Sequence, residues 1–174
     1  MGLFQSLGGT SGGFRKGEVM NIYVGADYRG FEKKKAILNY LAEEVAKGQD
    51  YQVVDKGAYE YAEGDDFNDP AIAVAKAVRE DPSSRGILIC DSAHGVTIQA
   101  NRFKGVRAAH CDNPESAKLA REHDDANVLC LSAHFLNDDA KMYEMIKTFL
   151  QTNFESLERR VRRINRLDER EDYD

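Results

Sequence analysis

The amino-acid sequence predicts an α/β fold, and three observations carry that reading. Five short β-rich runs of four to six residues alternate with stretches whose apolar residues recur at helical spacing. The run at Gly86–Cys90 is apolar throughout, as expected of a strand buried on both faces. Each run also gives way abruptly to polar residues or glycine. Strands alternating with helices build parallel sheets covered on both sides. The expectation is therefore one Rossmann-like domain, a five-stranded parallel sheet with helices on both faces. A chain of 174 residues suits one such domain and is short for two.

The elements follow in order. Asn21–Ala26 is the first strand, closed by Asp27 and Gly30. Phe31, Leu38, Leu41 and Val45 then form one helical face, with Lys33, Lys34, Lys35 and Glu43 opposite. Gln52–Asp55 is the second strand. A Gly- and acid-rich loop follows, then a helix through Ile72, Ala75 and Val78, with Asp69 as cap and Pro70 in its first turn. Gly86–Cys90 is the third strand, Val96–Phe103 a short helix, Val106–Cys111 the fourth strand and Glu115–His123 a helix. Val128–Leu131 is the fifth strand and Ala140–Leu150 a long helix. Val161, Ile164 and Leu167 give a last helix a thin apolar edge. The folded domain spans 20–167, between an extension at 1–19 rich in Gly and Ser and an acidic tail at 168–174.

Composition narrows the function classes. A net charge of −6 gives no electropositive face for nucleic acid. No apolar run approaches the roughly 20 residues that cross a bilayer, and none follows the early basic residues as in a signal peptide. Three cysteines, an odd number, argue for a reducing compartment, and a cytoplasmic location is expected. MGLFQS matches the N-myristoylation pattern, which is short enough to occur by chance.

In a parallel sheet the ligand site lies beyond the C-terminal strand ends. That draws attention to Asp27 and Tyr28, the loop around Asp66, Cys90–Gly95, and the turns at Cys111 and Leu131. Cys90 ends a strand just before a helix, whose N-terminal dipole favours thiolate, so it is a candidate nucleophile or base. From position alone core packing is the better reading for Cys90, as it is for Cys111 and Cys130. A cysteine-phosphatase loop needs an arginine where Val96 stands. Cys90, Asp91 and His94 are all metal-ligand types but lack a second cluster. His123 ends a helix, as a cap or as an acid/base. Arg159 and Arg163, four apart, share a helix face that suits a phosphate, or else pair with Glu155 and Glu158.

Taken together, VGADYRGFEKK, VVDKGAY, DDFNDPA, RGILICDSAHGVTIQANRFKGVRAA, AKLAREHDDANVL and ERRVRRI resemble, in order, the motifs of the sugar-phosphate isomerase family. That family includes type B ribose-5-phosphate isomerase and the galactose-6-phosphate isomerase subunits. The resemblance runs from about Met20 to Leu167. It implies interconversion of an aldose and a ketose phosphate through an enediolate, without metal or other cofactor, by a homodimer with sites between subunits. On that resemblance Cys90 is the base, His123 assists ring opening, and Asp27 lies near the sugar hydroxyls. Ser92 takes the place of the family threonine, and backbone N–H groups through Gly95 hold the enediolate. Asn101 matches a family asparagine, while Arg159 and Arg163 hold the phosphate.

The chain departs from the pattern at five positions. Tyr28 stands for a histidine, Asp124 for an asparagine, Asp91 and Ala93 for two loop glycines, and His94 for an aliphatic residue. A carboxylate about 4 Å from an enediolate is repulsive by several kcal/mol at an effective dielectric near 20. Two outcomes follow: an isomerase in which a charged His94 compensates for Asp91, or a non-catalytic sugar-phosphate binder or partner subunit.

Overall fold

A computed structural model describes residues 18–169. The myristoylation pattern, most of the N-terminal extension and the acidic end of the chain lie outside that range.

Eleven elements alternate as the sequence predicts: β1 (Met20–Ala26), α1 (Phe31–Ala46), β2 (Tyr51–Asp55), α2 (Asn68–Glu80), β3 (Arg85–Cys90), α3 (His94–Ala100), β4 (Ala108–His110), α4 (Pro114–Asp124), β5 (Val128–Ser132), α5 (Asp139–Gln151) and α6 (Glu158–Asp168). The strands form one parallel sheet in the order β2-β1-β3-β5-β4. Alternate side chains of β3 serve two cores, which is why its whole length is buried. Ile87 and Ile89 join Ile37 and Leu41 of α1 with Met145 and Phe149 of α5 on one face. Leu88 and Cys90 join Val74 and Val78 of α2 with Val96 of α3 on the other. No described helix is long and apolar enough to cross a membrane.

Local chemistry moved several boundaries. α2 starts at Asn68 with Phe67 in the capping position, so Asp69 lies in the first turn, where the helix dipole still favours its charge. β4 is shorter than expected because Val106 closes a turn on the Phe103 carbonyl and the Arg107 N–H donates to the Asn127 side chain. Lys34 sits on the buried face of α1, in line with Ile37 and Leu41, and not among the solvated lysines. Its ammonium group donates to Asp55 at 2.8 Å and to the Ala58 carbonyl, fixing the chain that leaves β2.

The strand order reverses between β1 and β3, since β2 lies to one side of β1 and β3 to the other. In open α/β sheets such a reversal leaves a crevice at the C-terminal strand ends. Close helix packing behind it depends on Gly86: a β-carbon there would lie 2.7 Å from Val74 Cγ1 and 2.9 Å from Val128 Cγ2. Gly86→Ala is expected to destabilise the fold by about 1–3 kcal/mol through overpacking. The check is a lower urea midpoint at unchanged m.

Candidate functional site

Asp27 and Cys90 flank the reversal point, on neighbouring strands in register through Ala26 and Ile89. The Asp27 N–H donates to the Ile89 carbonyl, and its buried carboxylate accepts from the Gly30 N–H at 2.9 Å. Beyond Cys90 the chain turns into α3 through Ala93, which adopts φ 66°, a left-handed conformation. Alanine tolerates it at a cost of about 1–2 kcal/mol. The loop thus keeps its turn with alanine where the resembled family has glycine. Gly95 lies against the Phe67 ring, which a β-carbon would meet at 2.8 Å.

Burial pushes the Cys90 thiol above its ordinary range. The Val96 N–H pulls it back, the Asp27 charge raises it again, and the N–H groups of Ala93 and Ser92 oppose that. The N–H groups at the start of the helix favour thiolate as expected, but desolvation outweighs them. The N–H groups of Ser92, Ala93 and Val96 thus all face the Cys90 sulfur.

The expected compensation of Asp91 by His94 is not what the loop provides. His94 packs edge-on against His110, ring centroids 5.6 Å apart. The side chain beside Asp91 is His134, its Nδ1 3.7 Å from Oδ1, with both side chains largely exposed. His134 is held there by backbone. Its N–H and the Ser132 hydroxyl both donate to the Asp91 carbonyl, and the Ala133 N–H donates to that of Cys90. Burial lowers the His110 imidazole, as does the neighbouring His94. Among the described residues no group of three or more His, Cys, Asp or Glu side chains is placed to hold a metal ion, Cys90, Asp91 and His94 included.

Tyr28, Ser92 and Gly95 lie at this same end. The Tyr28 N–H donates to Asp65, and its ring meets Tyr61 edge-on at 6.1 Å with Arg29 over its face. The remaining candidates do not join them. α4 returns the chain to the N-terminal strand ends, so His123 and Asp124 lie at the opposite end of the sheet, roughly 17 Å of strand away. Arg159 and Arg163 are exposed on α6, which packs against α4. The arginine that pairs with Glu155 is Arg160. Asn101 also lies at the far end, beside a cavity of about 420 Å³ that Asp124 shares. Its side-chain amide is engaged in both directions by the backbone of Ala108.

His134, His110, Asp65, Tyr61 and Phe67 were not singled out from sequence. The rule of strand ends pointed to the turns at Cys111 and Leu131, but only the folded chain brings their histidines against Asp91 and His94.

The Asp27 carboxyl is raised by burial, with Asp65 and Asp91 adding to it against the N–H groups of Gly30 and Arg29. The unfolded chain therefore releases this proton at a lower pH than the folded one. Stability falls as pH rises from about 3.8 through the raised folded value, and the loss persists at neutral pH. Asp27→Asn is expected to raise Tm at pH 7, with the advantage closing below about pH 4. Thermal unfolding across pH checks it.

Residues 22–167 match the family model described as Ribose/Galactose Isomerase. The chain is similar to a probable ribose-5-phosphate isomerase B of Mycoplasma pneumoniae, 40% identical over 77% of this chain and 84% of the relative. It is 34% identical to ribose-5-phosphate isomerase B of Mycolicibacterium paratuberculosis over 87% and 92%. Among solved structures it is similar to ribose-5-phosphate isomerase B of Mycoplasma genitalium with bound ribulose-5-phosphate: TM-score 0.79, 38% identity, 86% of this chain and 94% of that one. The type B enzyme of Trypanosoma brucei gives a TM-score of 0.80 at 34% identity, over 87% and 98%. With a family model spanning nearly the whole described fold and relatives aligned along most of their length, the chain belongs to the ribose/galactose isomerase family.

Proposed function

We propose that this protein interconverts an aldose phosphate and a ketose phosphate, of the ribose 5-phosphate and ribulose 5-phosphate type, through an enediolate. The observation that carries the reading is the placement of Cys90: a thiol at the reversal point, beside a carboxyl and backbone N–H groups that face the sulfur. Cys90 as thiolate takes the proton from C2 of the open-chain aldose. The electron pair moves into a C1–C2 double bond, and the N–H groups of the 92–96 turn receive the developing oxyanion. The C2 hydroxyl proton passes to the oxygen on C1, and return of the first proton from Cys90 to C1 leaves the carbonyl at C2 of the ketose. Asp27 and Ser92 face the sugar hydroxyls.

Ring opening and the phosphate grip fall to His123, Arg159 and Arg163, with Asp124 beside them. These lie at the other end of the sheet, so a second copy supplies them to each Cys90. A homodimer with reciprocal sites follows, and the exposed apolar residues Val161 and Leu167 of α6 suit such an association.

Asp91 favours a second reading. Its charge lies close enough to raise the Asp27 carboxyl and opposes an enediolate nearby, as a non-catalytic sugar-phosphate binder would tolerate. A turnover assay over pentose and hexose phosphates decides between them. A binder gives thermal stabilisation by the sugar phosphate with no turnover.

Two outcomes are expected of the isomerase. Cys90→Ala and His123→Ala each abolish turnover, and mixing the two under subunit exchange restores roughly a quarter of native activity, because half the dimers carry one intact site. Failure of the mixture to regain activity would sink the shared site. Because burial raises the Cys90 thiol, kcat/KM should climb with pH across the neutral and alkaline range as thiolate forms. A flat profile would exclude Cys90 as the titrating base.

A further inference from the structure

We propose that Arg160 is a positioning residue, holding the arginine helix in register with His123 so that Arg159 and Arg163 meet the substrate phosphate beside the ring-opening histidine. The inference rests on the isomerase reading above and concerns a residue to which that reading gives no role.

Arg160 is the buried member of a run of otherwise exposed arginines, with only 7% of its surface exposed. Its Nη1 donates to the Glu122 carbonyl at 3.0 Å and to the Glu155 carboxylate. The Glu155 N–H donates to the same Glu122 carbonyl at 3.1 Å. That carbonyl belongs to the residue immediately before His123. It is one of the last-turn acceptors of α4, which have no helical partner of their own. One oxygen thus receives both the start of the arm leading into α6 and the guanidinium that anchors the helix.

A second buried arginine completes the seam. Arg121 Nε donates to the Thr152 carbonyl at 3.2 Å, and Nη1 to Asp125 and to the Ala126 carbonyl. The arm at 152–157 is tied to the last turn of α4 at Thr152 and at Glu155, and α6 continues from it. Arg159 precedes Arg160 directly, and Arg163 follows within one helical turn. Among the described residues neither makes a side-chain hydrogen bond or ion pair that would fix the helix. Arg160, by contrast, is neutralised by Glu155 and turned inward, away from any ligand. Its guanidinium transmits the position of His123 to the two arginines that remain free to bind an anion.

The test compares Arg160→Met, which keeps length and loses the donors, with Arg160→Lys, which keeps one charged donor. Arg160→Met is expected to raise KM for ribose 5-phosphate on the order of tenfold while kcat stays within about twofold. Arg160→Lys should recover part of the loss. Adding Arg163→Ala to Arg160→Met should cost less than Arg163→Ala alone, because a displaced helix no longer delivers Arg163. Amide exchange in α6 should quicken while β3 stays protected. Faster exchange with KM unchanged would reduce Arg160 to a structural role and overturn the proposal, as would full additivity with Arg163→Ala.

If the native protein turns over no sugar phosphate, the isomerase reading fails on its own. Arg160 is then judged by calorimetric affinity for ribose 5-phosphate. A tenfold weakening in Arg160→Met supports the role; equal affinity, or none in the native protein, overturns it.

Discussion

In a parallel sheet every strand runs the same way, so each connecting helix must carry the chain back past the full height of the sheet before the next strand starts. That polarity governs this molecule. Cys90 leaves β3 at one end, and α4 delivers His123 to the other. A six-residue strand spans roughly 17 Å, far beyond any side chain's reach. The candidate acid/base groups therefore cannot meet within one chain, however the loops adjust. The same polarity gathers Asp27, Cys90 and the turn at Ser132–Phe135 at a common edge, where reversed strand order leaves room for a ligand.

At that edge two effects compete over one sulfur. Removal from water disfavours thiolate, and backbone N–H groups of the turn favour it. Burial prevails. The outcome is chemically useful, since a thiol held above its ordinary range forms a stronger base once deprotonated. The acids crowding the site follow a similar logic. Asp27 is raised by burial and by two neighbouring carboxylates, against the N–H groups of Gly30 and Arg29.

The fold was legible because alternation of short apolar runs with helical periods is a strong signal, and all five strands and six helices fall where it places them. Boundaries moved where a side chain or turn satisfied backbone groups that periodicity ignores, as at Arg107 and Phe67. Lys34 went unread because its charge suggested solvent, while its spacing from Ile37 and Leu41 put it inside, where Asp55 neutralises it. At the site, strand-end position drew attention to Cys90 and Asp27, and the order of the motifs, not position, set Cys90 apart from a core cysteine. The partners of Asp91 and His94 were not, because a positive φ at Ala93 redirects the chain by an amount that no linear spacing encodes. His134 meets Asp91 only through pairing of β5 with β3, a contact across 43 residues that depends on strand order.

Asp91 is the residue that most tests the functional reading, and its surroundings explain how a carboxylate can stand where the family pattern has glycine. Its carbonyl is anchored by the turn after β5, through the Ser132 hydroxyl and the His134 N–H. That anchoring constrains the backbone at the position while the side chain extends into solvent, more than half exposed. Water then screens the charge far more strongly than the interior would, and His134 shares the same solvent-facing edge. The N–H groups that face the Cys90 sulfur belong to Ser92, Ala93 and Val96, after the point where the Asp91 side chain departs. A glycine at this position would serve through conformational freedom and close approach. In this chain the backbone conformation is secured by cross-strand hydrogen bonds instead, which lets a charged residue occupy the position without distorting the turn that follows it.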